Sequence, residues 1–157
     1  MKVTTNLTKG ELLVNGAVLK ISCNVRTVCA GTRRSNEVVE SIPGKQPYDP
    51  RPFPKGIWDI TAVEWQSDYG FDKSVYGTVK IRTNAWQYVK VWELDKDGDY
   101  LHETDRKVID SGYLIHYSDS NTTLGCIRSE RQDVLEIAAR IIENLLKQGE
   151  AVQLEVI

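Results

Sequence analysis

The sequence predicts a mostly β domain with one late helix packed against the sheet. Three observations lead there. Short apolar stretches recur between turns marked by Gly, Asn and Asp; a single longer stretch near the end carries a helical apolar stripe; the chain then closes on an alternating segment, Ala151 to Ile157. With 157 residues the chain suits one domain, residues 1–157, and can bury a real core.

Glu11-Leu12-Leu13-Val14, then Asn15-Gly16, then Ala17-Val18-Leu19-Lys20-Ile21 reads as a hairpin with a type I′ turn, since Asn-Gly tolerates the two left-handed positions such a turn requires. The second strand runs on through Val25 and Val28 to the small pair Ala30-Gly31. Residues 32–56 are polar and hold all five prolines (Pro43, Pro47, Pro50, Pro52, Pro54), which predicts a long loop. Ile57 to Val63 resumes as a strand, and two more follow around Val75 to Thr83 and Trp86 to Leu94. The latter places Trp86, Tyr88 and Trp92 on one face and Val89 and Val91 on the other, so both faces are expected to be covered. Asp97-Gly98 marks a tight turn, and Val108 to His116 makes a further strand. Ser129 with Gln132 three residues on reads as a capping box. Val134, Ile137, Ala138, Ile141, Ile142, Leu145 and Leu146 form the stripe, with Lys147 in the last turn and Gly149 as the stop.

Composition narrows the function classes. A net charge of −2 offers no general attraction to nucleic acid or anionic membrane, and Arg33-Arg34 reads as a surface pair. No segment approaches the roughly 20 apolar residues needed to cross a bilayer. Met1 to Asn6 lacks the apolar run of a secretory signal, so synthesis as a cytoplasmic product is expected. Cys23 and Cys29 are six residues apart in a strand-like stretch, roughly 20 Å if extended, which is beyond disulfide reach unless the segment bends back. Asp95, Asp97 and Asp99 place Gly98 fourth and Arg106 twelfth, the wrong pattern for a calcium loop, and read as a charged hairpin tip. Two histidines and three scattered cysteines do not assemble a zinc site, and no cofactor is expected. Four Trp and seven Tyr against two Phe suit a groove gripping a polar ligand and suit half-wet sheet faces equally.

The segment with chemistry is His116 to Arg128. A cysteine nucleophile needs a thiolate, a base, and donors for the developing oxyanion. Cys126 lies three residues ahead of the helix start expected at Ser129, near enough for the helix dipole to acidify it if the loop aims it there. Gly125 leaves backbone amides free to face a carbonyl, and Arg128 can hold a carboxylate bidentately. Of the two histidines, His102 follows a charged turn, whereas His116 ends an apolar strand one loop before Cys126.

Ile115-His116 followed by Thr123-Leu124-Gly125-Cys126-Ile127-Arg128 resembles the signature of the YkuD-type L,D-transpeptidases: His, a variable loop, Ser/Thr-His-Gly-Cys, then Arg or Asn two further on. Pro54-Lys55-Gly56-Ile57-Trp58 resembles the family's Thr-Pro-x-Gly-x-aromatic segment; Ala30-Gly31, Asp133 with its helix, and Gly149-Glu150-Ala151-Val152 also match in order. The resemblance covers roughly residues 10–157. It implies a mixed β-sandwich whose cysteine attacks an L-to-D bond of a peptidoglycan stem peptide, forming a thioester resolved by an amine or by water. It makes Cys126 the nucleophile and His116 the base, oriented by the Tyr117 carbonyl. The Gly125 and Cys126 amides form the oxyanion hole, and Arg128, with Thr123, Tyr113 and Trp86, contacts substrate.

Two departures bear on activity. The loop from His116 to Cys126 is shorter than usual in the family, and Leu124 stands where a histidine commonly precedes Gly-Cys. A reduced acceptor side leans the reading toward hydrolytic or mixed activity, that is, L,D-transpeptidase with L,D-carboxypeptidase action. A phage lysis enzyme or a delivered effector fits the lack of a signal, with action in the periplasm or at the cell wall after export by another route. A non-catalytic wall-peptide binding domain of the same fold is the competing class. The partners expected are stem peptides, without nucleic acid or membrane span, and the chain is expected to be a monomer.

Overall fold

The computed structural model describes residues 1–6, 9, 11–14, 17–20, 53–94, 96, 100–119 and 126–157. Outside them fall the Asn15-Gly16 turn, Cys23, Cys29, Ala30-Gly31, four of the five prolines, the tip residues Asp95, Asp97, Gly98 and Asp99, and Thr123, Leu124 and Gly125. In chain order the elements are β1 (Lys2–Asn6), β2 (Glu11–Val14), β3 (Ala17–Lys20), β4 (Gly56–Trp65), α1 (Gln66–Tyr69), α2 (Lys73–Tyr76), β5 (Val79–Thr83), β6 (Trp86–Leu94), β7 (Tyr100–Ser111), β8 (Leu114–His116), β9 (Ile127–Arg128), α3 (Gln132–Lys147) and β10 (Gln153–Val156).

Eight strands form one mixed sheet in the order β3-β2-β1-β10-β4-β5-β8-β9. β1 with β10 and β8 with β9 run parallel, and the other neighbours run antiparallel. The fold is mostly β with one long late helix, as the patterning predicts. The hairpin of β2 and β3 pairs Val14 with Ala17, the register a two-residue connection imposes. The last strand, β10, is not at an edge: it lies between β1 and β4, burying Leu154 and Val156.

Alternation decides which face of the sheet does what. Val63 and Trp65 of β4, Val79 and Ile81 of β5, Ile115 of β8 and Ile127 of β9 join one apolar cluster with Leu135, Ala138, Ala139 and Ile142 of α3. The helix face is therefore the i, i+3, i+4, i+7 set beginning at Leu135, and Ile137 points outward at 63% exposure. Burying Leu135 and Ile142 contributes roughly 1.5–3 kcal/mol each. The expected stripe shares Ala138 and Ile142 with this face, but it omitted Leu135 and wrongly included Ile137.

The helix ends as expected and starts differently. Gly149 is left-handed at φ 78°, and the amides of Gly149 and Glu150 donate to the carbonyls of Leu146 and Leu145, closing the last turn. At the other end no capping box forms. The N-cap is Arg131 without a side-chain cap, and the Gln132 side chain instead accepts from the amide of Thr78 at 2.8 Å. The Gln132 side chain is thus engaged by the residue just before β5 and not by its own helix terminus.

Three further expectations are corrected. The strand expected from Val75 begins only at Val79, since Asp72 caps Ser74 to start α2 and Gly77 ends it at φ 70°. The strand expected over Val108 to His116 breaks at Gly112, φ 89°, where the chain leaves β6 for β5. β6 and β7 form a separate two-stranded sheet, so the face of Trp86 and Tyr88 is open, at 41% and 57% exposure.

Gly77 does more than turn the chain. A Cβ there would sit 2.5 Å from Gln132 Oε1 and 2.9 Å from Tyr117 Cβ, in a conformation side chains resist. Gly77→Ala is expected to lower stability by about 2 kcal/mol, read as a shifted urea midpoint at pH 7. An unchanged midpoint would show that this junction is slack. Among the described residues no helix is long and apolar enough to cross a membrane.

Candidate active site

The face of the sheet opposite α3 carries the polar residues of the same strands. Register pairs Glu64 of β4 with Lys80 of β5, Lys80 with His116 of β8, and His116 with Arg128 of β9. These four side chains make one row across four strands, because strand partners project to the same side. The next row includes Arg82, opposite Leu114.

Cys126 enters this face from just before β9. Ile115 pairs with Ile127, so continuing the register one step back sets Cys126 beside Leu114. Its sulfur accepts from the Leu114 amide at 3.4 Å and lies 3.9 Å from the Gly112 carbonyl. Cys126 and His116 are thus diagonal neighbours on adjacent strands, on the order of 7–8 Å between backbones, within side-chain reach of each other. Here the expectation of a helix start close to Cys126 changes. Cys126 does not head a helix: β9 follows it, and α3 starts only at Gln132. A helix dipole acts within its first turn, so it is not the natural source of charge for this thiol.

His116 is buried, 4% exposed, with Nδ1 2.8 Å from the Tyr117 carbonyl oxygen. A carbonyl only accepts, so Nδ1 carries the proton and the neutral ring keeps its lone pair on Nε2. The ring also meets Tyr76 edge-on at 5.3 Å. Burial pushes the His116 pKa from 6.5 down to about 4; the Tyr117 hydrogen bond opposes this, and the charges of Lys80 and Arg128 reinforce it. At neutral pH the imidazole is therefore uncharged, with its lone pair on Nε2.

Arg128 is 7% exposed, donates from Nε to the Ser118 carbonyl at 3.0 Å and lies 5.3 Å from the Tyr117 ring centroid. Its Nε–H thus braces the chain following His116. Tyr113 is 2% exposed, packs on Phe53 at 5.3 Å and accepts from Gln87 through its hydroxyl at 2.6 Å. Trp86 is on the surface, edge-on to Trp58 and Tyr88 at 6.4 and 5.1 Å, where β6 starts opposite Ser111. Gly112 links Ser111 to the site, so this aromatic run begins close to Cys126. Thr123 and Gly125 lie outside the described residues.

Sequence reading missed Lys80, Tyr76 and Phe71. The Lys80 ammonium sits 3.8 Å from the Tyr76 ring centroid and 4.3 Å from that of Phe71. Burial and the Arg82 charge lower its pKa, while Glu64 and Cys126 pull it up. Glu64 itself is taken by Arg82, whose Nε donates to its carboxylate. The only early signal was alternation, polar Lys80 and Arg82 between apolar Val79 and Ile81. That pattern fits a solvated face as well as a site.

A thiol and a buried neutral imidazole on one face of a mixed sheet are the parts that nucleophilic acyl transfer requires. The L,D-transpeptidase catalytic domain (YkuD) matches residues 27–152, and the chain belongs to that family, whose members are L,D-transpeptidase-type cell-wall enzymes acting on peptidoglycan peptides. No curated protein and no solved structure matches the chain.

Proposed function

We propose that the protein is a cysteine acyltransferase that cleaves an L-to-D bond of a peptidoglycan stem peptide through a Cys126 thioester. The observation that carries this reading is the His116 Nδ1 contact with the Tyr117 carbonyl, which leaves Nε2 as the free base on the face that Cys126 enters. In the first half-reaction Cys126 Sγ attacks the donor carbonyl carbon and its proton passes to His116 Nε2. The C–N bond then breaks, and the imidazolium returns the proton to the departing D-residue amine. In the second half-reaction water or an acceptor amine attacks the thioester, giving its proton to Nε2 and regenerating the thiol. The amides of Gly125 and Cys126 hold the developing oxyanion, and Arg128 positions the donor.

The segment from His116 to Cys126 is short for the family and carries the apolar Leu124, which favours water alongside amines. Incubation with tetrapeptide muropeptides, followed by mass spectrometry, tests this. Release of the terminal D-residue supports the reading; adding a D-amino acid separates exchange from simple trimming. Binding without conversion would identify a non-catalytic wall-peptide domain instead.

A further inference from the structure

With a strand rather than a helix following Cys126, the positive charge needed to favour its thiolate must come from elsewhere. His116 cannot supply it at rest, since burial keeps the ring neutral at pH 7. Among the described residues, the charged and titratable groups facing the site, strand by strand, are Glu64 of β4, Lys80 and Arg82 of β5, His116 of β8 and Arg128 of β9, with Tyr76 arriving from α2. Arg82 and Glu64 neutralise each other in an ion pair. Arg128 is turned to the Ser118 carbonyl. Among the described residues no carboxylate stands within ion-pair distance of Lys80.

We propose that Lys80, held by the Tyr76 and Phe71 rings beside His116, is the positioning cation that stabilises the Cys126 thiolate. This rests on reading Cys126 as the nucleophile. The two rings matter because each attracts the ammonium through its electron-rich face while offering no anion to cancel it. Lys80 is therefore held in place without a direct ion pair among the described residues, with Glu64 the carboxylate that acts on it from the next strand. It transfers no proton: the thiol proton goes to His116 Nε2 or to water, and the ammonium keeps all of its own. The mutual attraction of Lys80 and Cys126 also appears from the lysine's side, where the cysteine charge favours the protonated amine. Placing the cation next to His116 has a second effect. It disfavours imidazolium, so the base is kept empty until the thiol proton arrives.

The test is the pH dependence of Cys126 alkylation by iodoacetamide in the intact protein, resolved by peptide mass spectrometry because the chain has three cysteines. Lys80→Met is expected to move the alkylation midpoint upward by about one pH unit, slowing reaction at pH 7 about tenfold. Lys80→Arg is expected to restore the wild-type midpoint. Glu64→Gln, which removes the one facing carboxylate among the described residues, is expected to move it downward. A folded Lys80→Met protein with the wild-type profile overturns the proposal, as does failure of Lys80→Arg to restore it. Should Lys80→Met not fold, an unchanged or raised midpoint in Glu64→Gln overturns it. Turnover of muropeptides by the wild type is scored separately, so a shifted alkylation profile without turnover rejects the substrate and keeps the charge.

Discussion

Cys126→Ala is expected to lose at least about 10³-fold in turnover of stem peptides, with the fold retained. Alanine removes the one sulfur that the described residues place on this face, while the Leu114 amide loses merely a weak sulfur acceptor. His116→Ala should cost about 10²–10⁴-fold, the usual worth of a positioned proton acceptor. The double variant should be little worse than Cys126→Ala, since nucleophile and base act as one unit. Intact-mass measurement of wild type mixed with a slow donor should show an acyl adduct that Cys126→Ala lacks. More than about 1% residual turnover in a purified, folded Cys126→Ala protein would place the chemistry elsewhere.

The second large effect concerns pH and stability. The folded-state pKa of His116 is lowered, to about 4 from 6.5, so the unfolded chain takes up a proton first as the pH falls. The stability associated with the neutral ring is complete above about 6.5 and is lost progressively down to about 4. At pH 4.5 the loss is on the order of 2 kcal/mol relative to neutral pH. His116→Asn, whose amide nitrogen can still donate to the Tyr117 carbonyl, should remove this part of the slope between pH 7 and 4.5. Parallel denaturant titrations of the two proteins measure it; equal slopes would show that the ring is protonated or solvated in the native state. By the same reasoning the acid limb of kcat/KM should lie near pH 4 and not near 6.5.

Both effects depend on burial, which sequence conveys unevenly. The hairpin of β2 and β3, the closing strand and the long helix were legible because each is a local pattern of period 2 or 3.6. Cys126 and His116 stood out as candidates because few residues could do this chemistry and the ordered motif from Ile115 to Arg128 resembles a known one. Lys80 was not, since a lysine between Val79 and Ile81 looks like any solvated strand face until His116 is paired beside it. The helix start was missed because Gln132 has two possible partners, and a distant amide, Thr78, takes it. Gly112 was missed because the break depends on β7 and β8 pairing with different strands.

The sequence by itself determined the elements with a periodic pattern, the candidates for nucleophile and base, and the resemblance to a family of cell-wall enzymes. Those follow from side-chain chemistry and local backbone preference. Tertiary structure alone decided that β10 enters the sheet between β1 and β4, and that β9 rather than the helix follows Cys126. It also decided that Glu64, Lys80, His116 and Arg128 share one row. Strand order and register arise from pairing between segments far apart in the chain, where each residue's partner is set by the whole packed sheet and not by its neighbours in sequence.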